Sequence, residues 1–399
     1  MAMADESKVV ADVSKVDPSK GHLMGGTKAR IMQVVWPIFC FCLYGFFSFW
    51  YFPWATLTGA MRLGVLTEPL ALLAWALGHY WFVAWGFVTL NAVLVDFVAE
   101  NIFPEVPYYN PKARPDYSMS ERIKFTWEHL WHTGVLAILQ VFVRVDCLFP
   151  WIFKQLGLIN HAPLSSAEFH QQSVLANTNL TASPNIEDPV LGVFGGELSP
   201  DHLVSCYRPG SGSVVGDMLV VFAFIQVGIT LADISYCAWH LTQHKYKFLH
   251  NITNHGYHHQ FHYPIGACGS WLAWLDICFS ATFSHLLPTG LTVAMFQAMG
   301  FFNLSDFGLI GWKFVLQMYI HEMNHFAHTG KQVPVWSGCP LFPPLGFALN
   351  LQDSIACHEA HHNFGNCSFG LLSVGDKIFG TAQYPVDHPK HIKRQKKKA

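Results

Sequence analysis

Imidazole is the chemical group this chain holds in excess: 23 histidines among 399 residues, against 24 lysines plus arginines. Thirteen fall in two stretches, His240 to His262 and His321 to His362. His240 and His244 form HxxxH, which stacks both rings on one helical face. His255, His258 and His259 form HxxHH, and His358, His361 and His362 repeat it. His321, His325 and His328 stand at i, i+4 and i+7. Imidazole is a neutral, borderline-soft donor suited to Fe, Zn, Cu or Ni, and it adds no charge that must be buried. One such box reads most simply as a packed or solvated pair; four beside apolar runs read as chelating faces able to enclose two metals. The candidate ligands are therefore His240, His244, His255, His258, His259, His321, His325, His328, His358, His361 and His362. His250 and His262 lie outside the boxes, as peripheral ligands or structural histidines. Nearby carboxylates, Asp233, Glu322, Glu359 and Asp376, are candidates to orient ligating rings through the far ring N–H.

Two boxes also satisfy HExxH, at 321–325 and 358–362, the pattern in which a zinc protease uses the glutamate as base. That reading needs three protein ligands and leaves HxxxH and the first HxxHH without a role. A metal transporter or sensor would place histidines inside several spans, whereas most box histidines fall outside the apolar runs.

Helices must present these faces, and composition says what surrounds them. The chain is 51% hydrophobic and only 13% charged, with a mean hydropathy of +0.26. A typical soluble domain carries about 25% charge. A soluble enzyme and a disordered chain are therefore disfavoured, and a net charge of −2 supplies no field for nucleic acid. The uncharged run at 31–52 is long enough to span a bilayer, and 218–236 is a further apolar run that leads into the first histidine cluster. The run 70–97 is interrupted only by His79 and Asp96, and 135–153 carries Arg144 and Asp146. Runs at 283–302 and 307–320 read as a membrane hairpin leading to the third box. Residues 1–30 read as a polar cytosolic tail, 156–213 as a loop, 237–381 as the histidine-box region and 382–399 as a basic cytosolic tail. Lys396-Lys397-Lys398-Ala399 fits a dilysine signal for the endoplasmic reticulum membrane. No CxxC pair is present, so the cysteines read as packed thiols.

Between Asp233 and Thr381 these residues resemble the fatty acid hydroxylase / sterol desaturase superfamily. The likeness runs through Asp233-Ile-Ser-Tyr236 before His240, Lys247-Phe-Leu-His250 before His255, and Gly375-Asp376-Lys377-Ile378-Phe379-Gly380-Thr381 after the last box. Ser368 and Gly375 stand where the family has Asn and Trp. The piece from His259 through Pro264 to Gly266 is similar to the C4-sterol methyl oxidase branch. The resemblance implies an all-α integral membrane protein of about four transmembrane helices under a cytosolic histidine-rich cap. It also implies a non-haem centre of two Fe per chain, O2 as oxidant, and electrons from NAD(P)H through cytochrome b5 or a reductase. The expected activity is oxidation of a sterol or other lipid, with desaturation or fatty-acid hydroxylation as the alternative on the same scaffold.

Overall fold

The structure is a computed structural model that describes Val35, residues 93–102, 108–109, 115–127, 214–299, Leu316, Ile320, 323–331 and 354–385. These residues are helical, without a strand; one isolated antiparallel bridge joins Tyr108 to Lys331. Helix α1 (119–127) opens with a capping box: the Ser118 hydroxyl accepts from Glu121 N–H, and the Glu121 carboxylate accepts from Ser118 N–H at 2.8 Å.

Helix α2, Val214–Lys245, runs unbroken for 32 residues, or about 48 Å at 1.5 Å per residue. No proline interrupts it, and His244 and Lys245 meet the negative end of its dipole. The expected span at 218–236 is thus the middle of a longer helix, which carries His240 and His244 on its last turns. The expected boundary at 236–237 falls inside that helix. At Gly228 an added Cβ would lie 2.5 Å from a methyl of the buried Leu316, so a small residue admits close approach there.

Helix α3 (Lys247–Thr253) follows and ends at Asn254, whose left-handed φ of 53° turns the chain back so that the 3-10 turn His255–Gln260 faces α2. A second 3-10 turn, Gly266–Ser270, leads to α4 (Trp274–Ala281). A π-turn, Thr282–Leu286, joins α4 to α5 (Leu287–Ala298). Pro288 has no N–H to give the carbonyl four residues back, and the ladder widens immediately before it. The expected hairpin arm at 283–302 therefore starts earlier, at Trp274. Two stretches, Phe222–Lys245 and Trp274–Phe296, are long and apolar enough to cross a membrane. Exposed Leu275, Phe279, Leu287, Leu291 and Met295 recur at multiples of four residues along the second. Trp239 of α2 stacks on Phe279 and Phe283 at 5.0 and 4.9 Å between ring centroids.

Helices α6 (Ser354–Phe364) and α7 (Val374–Phe379) close the histidine region, with α7 packed on α2. The remaining expected spans, at 31–52, 70–97, 135–153 and 307–320, lie outside the described residues except for Val35, residues 93–97, Leu316 and Ile320. The tail 1–30 and the loop 156–213 lie outside them as well, as does the basic tail beyond residue 385.

Candidate metal centre

The helices and turns bring nine imidazoles into two adjoining groups. His240 and His244 from α2, His255 and His259 from the first 3-10 turn, and His361 from α6 form one. His258, His328, His358 and His362 form the other. Within each group the donor nitrogens lie within 4.8 Å of one another. The two HxxHH boxes divide in opposite senses. The i, i+4 pair His255 and His259 serves the first group while His258 serves the second; His358 and His362 serve the second while His361 serves the first.

Hydrogen bonds fix what these rings present. A carbonyl only accepts, so a ring nitrogen facing one must carry the proton. His240 Nδ1 donates to Phe369 O at 2.8 Å, and His361 Nδ1 to Cys367 O at 2.7 Å. In the second group His258 Nδ1 donates to Trp271 O at 3.0 Å, His328 Nδ1 to Asn324 O at 2.6 Å and His362 Nδ1 to Phe261 O at 2.9 Å. His255 Nδ1 gives its proton to Asp276 Oδ2 at 2.6 Å. Each of these six rings is left with an Nε2 lone pair. The lone pairs of His240 and His255 nonetheless face each other at 2.9 Å, and those of His258 and His328 at 3.3 Å. His259 Nε2 adds approaches of 3.0, 3.1 and 3.2 Å to His255, His361 and His244. Lone pairs at that distance repel unless a cation lies between them. Two nitrogens at right angles on an ion, each about 2.1 Å from it, are about 3.0 Å apart. The donor set therefore fits metal ions. Burial, and after it the neighbouring imidazoles, hold His259, His328, His361 and His362 well below the usual histidine range, with His258 near 4 and His358 near 3. Rings so held are neutral donors at physiological pH.

The carboxylates act at different removes. Asp276, in α4, binds a ring directly, and its other oxygen accepts from Gln243 Nε2 at 2.8 Å. Reading the sequence for carboxylates near boxes missed it; its signal is a lone acid in the otherwise uncharged run 271–283. Asp233 and Asp376 touch no candidate ligand and instead hold the backbone that does. Asp233 Oδ1 accepts from Leu371 and Leu372 N–H, both at 2.6 Å, and Oδ2 from Gly375 N–H at 2.8 Å. Asp376 accepts from Phe369 and Gly370 N–H at 2.6 and 2.9 Å and from the Thr381 hydroxyl at 2.6 Å. Asp233, Cys237, His240 and His244 thus form one continuous face of α2 against the segment 367–376. Gly375, where the resembled family has Trp, packs against that face: an added Cβ would be 2.5 Å from Cys237 Cβ. Glu359 is fully buried in α6.

His325 is buried but belongs to neither group; its Nδ1 donates to Gly266 O at 2.7 Å. His321 and Glu322 lie outside the described residues. His250 is half-buried at the edge of the first group, 5.6 Å between ring centroids from His244, and His262 is exposed.

No protein-family model matches the chain, and no solved structure matches it significantly. The chain is 26% identical over 170 residues to human cholesterol 25-hydroxylase, covering 41% of this chain and 53% of that protein. It is 26% identical over 172 residues to the zebrafish (Danio rerio) cholesterol 25-hydroxylase-like protein 1, member 2, covering 43% of this chain and 50% of that one. The chain thus spans about half the length of the curated relatives it matches. These matches bear out the resemblance to the histidine-box superfamily and do not single out its C4-methyl oxidase branch.

Proposed function

We propose that this chain, like the fatty acid hydroxylase / sterol desaturase superfamily it resembles, holds two metal ions in its paired histidine groups and hydroxylates a membrane lipid with O2. The observation that carries the reading is the convergence of committed lone pairs: six rings whose Nδ1 protons are already donated turn Nε2 inward, in two groups. Iron bound there would supply the one-electron chemistry that activates O2 toward an unactivated C–H bond, which zinc cannot. The balance is one C–H bond and one O2, with two electrons and two protons, giving an alcohol and water.

The chain's own residues bind, orient and exclude. Asp276 and the carbonyls of Phe369, Cys367, Trp271, Asn324 and Phe261 fix ring orientation and tautomer. Burial of seven of the nine rings, with His244 and His259 half-buried, limits water at the centre. Two apolar stretches, one ending at the histidine groups and one starting beside them at Asp276, support entry of the substrate from a bilayer. The relatives are named for cholesterol, and the piece from His259 to Gly266 is similar to a sterol-oxidising branch; both support a sterol. We propose electrons from NAD(P)H through cytochrome b5 or a reductase, and residence in the endoplasmic reticulum membrane with the histidine groups and both termini cytosolic.

A zinc protease is disfavoured by donor number. His358 and His362 share a group, as HExxH requires, but His258 and His328 complete four imidazoles there and fill the position a tetrahedral zinc keeps for water.

Elemental analysis of the detergent-purified protein, with O2 uptake on adding reductant and a crude lipid extract, tests the proposal. About two irons per chain and lipid-dependent uptake yielding a hydroxylated lipid by mass spectrometry are expected. Zinc-dependent peptide cleavage without O2 uptake would overturn it.

A further inference from the structure

We infer that Asp96, paired with Arg122, is a positioning residue for the second histidine group alone, so that the two metal positions are held by separate carboxylate clamps. This rests on the two-metal reading above.

Asp96 comes from a segment some 170 residues before the turn it holds, and it is 1% exposed. Its Oδ1 accepts from Gly266 N–H at 2.8 Å and its Oδ2 from Ala267 N–H at 2.9 Å, the first amides of the 3-10 turn Gly266–Ser270. Arg122 Nη1 donates to Oδ1 at 3.2 Å. The guanidinium is itself fixed, by Tyr117 O at 3.1 Å and Glu100 at 3.0 Å, and Lys331 meets the other Glu100 oxygen at 3.7 Å. A Cβ at Gly266 would lie 2.8 Å from Asp96 Oδ1, so the carboxylate sits against bare backbone. Apolar contacts reinforce the seat: Ile265, Ala267 and Cys268 pack with Tyr117, Phe125 and Phe261.

What this turn supports is specific. Trp271 O takes the His258 proton. Gly269 O takes Asn324 Nδ2 at 2.6 Å, and Asn324 O takes the His328 proton. Phe261, whose carbonyl takes the His362 proton, packs edge-on against Trp271 at 5.0 Å. Three of the four second-group rings are therefore oriented by residues 261–271 or by Asn324 docked on them. The first group draws its acceptors elsewhere, from Asp276 and the carbonyls of Cys367 and Phe369, which Asp376 and Asp233 hold. No hydrogen bond of Asp96 or Arg122 reaches that set among the described residues.

The test compares two full-length backgrounds in detergent, each with one group disabled: His361→Ala, leaving the second group, and His358→Ala, leaving the first. Binding of Co2+ and Fe2+ is measured by equilibrium dialysis with and without Asp96→Asn. Loss of an orienting partner costs about 10- to 100-fold in metal affinity. Asp96→Asn is expected to weaken binding at least tenfold in the His361→Ala background and less than about twofold in the His358→Ala background. Equal weakening in both, or none in either, overturns the inference. Should Asp96→Asn not fold, Arg122→Gln is read in the same backgrounds with the same expectation, and Arg122→Lys should restore part of the loss. Failure of both Asp96→Asn and Arg122→Gln to fold assigns the pair to the whole fold and overturns the selective role. If the unmutated protein takes up two metals while the variants lose both equally, this inference fails and the proposed function stands; if it takes up none, both fail.

Discussion

Asp276 and His255 meet in a 2.6 Å hydrogen bond with both side chains fully buried, 21 residues apart in the chain. The carboxylate fixes the His255 proton on Nδ1 and makes Nε2 a stronger donor. It also takes hydrogen bonds from Gln243 and Ser280, so it joins α2 and α4 beside the ring. Asp276→Asn keeps an acceptor and removes the charge. We expect metal affinity at the first group to fall about 10- to 100-fold with the fold retained. Asp276→Ala also strands the His255 Nδ1 proton and leaves Gln243 Nε2 with Thr253 Oγ1 alone, which costs about 1–3 kcal/mol for a buried donor left unpaired. Metal titration separates the first effect and thermal unfolding in detergent the second.

Because each HxxHH box divides its rings between the groups, neighbouring histidines in one helix should answer to different metals. His361→Ala should lower metal content from about two per chain to about one, as should His358→Ala. The single sites that remain should have different ligand-field spectra with Co2+, since five rings serve one group and four the other. Both variants should lose turnover while still extracting with the membrane fraction. Retained turnover in either would remove that ring from the centre.

The boxes were legible in the sequence because HxxxH and HxxHH are properties of local spacing, which a helix or tight turn converts directly into a shared face. Nine of the eleven expected rings meet, His321 is outside the described residues, and His325 turns to Gly266 O. Spacing of i, i+4 and i+7 around 321–328 cannot say which ring the following turn carries inward, and it is His328, just past the helical residues 323–327, that turns in. Asp233 was legible as important but not in its role: seven residues from His240 put it on the right face, yet its partners are amides about 140 residues later. Asp96 and Asp276 were visible only as single acids in apolar runs. A carboxylate there is costly unless paired, so its presence marks a site while the partner waits on tertiary structure.

Gly375 explains one departure from the resembled family. A Cβ there would sit 2.5 Å from Cys237 Cβ, and a backbone-borne atom cannot swing aside. Gly375→Ala should cost about 1–3 kcal/mol, as overpacking does. Cys237→Ala should not rescue it, because the clash is with Cβ and not with sulfur. Gly375→Trp should prevent α7 from seating on α2. Melting of the single and double variants checks this; full rescue by Cys237→Ala would contradict the geometry.

Acid should unfold the metal-free protein in a window set by its buried neutral rings. Burial holds the pKa of His325 and of His258 at about 4, against about 6.5 for histidine in an unfolded chain. Above pH 6.5 both states are neutral and folding has its full stability. As pH falls from about 6.5 to about 4 the unfolded chain takes up protons that the folded one refuses, and stability is lost; below about 4 the folded rings protonate too and the loss levels off. For His325 the difference of about two and a half pKa units corresponds to about 3 kcal/mol. His325 lies outside both groups, so its share should persist when metal is bound, whereas metal on the grouped rings, which take protons in the folded protein only at about pH 4 and below, adds stability throughout this range. Unfolding measured between pH 7.5 and 4 should fall steeply in the metal-free protein and start from a higher plateau in the loaded one. His325→Gln, which keeps a side-chain donor for Gly266 O and cannot titrate, should flatten the slope; an unchanged slope would show that the ring is already protonated in the folded protein.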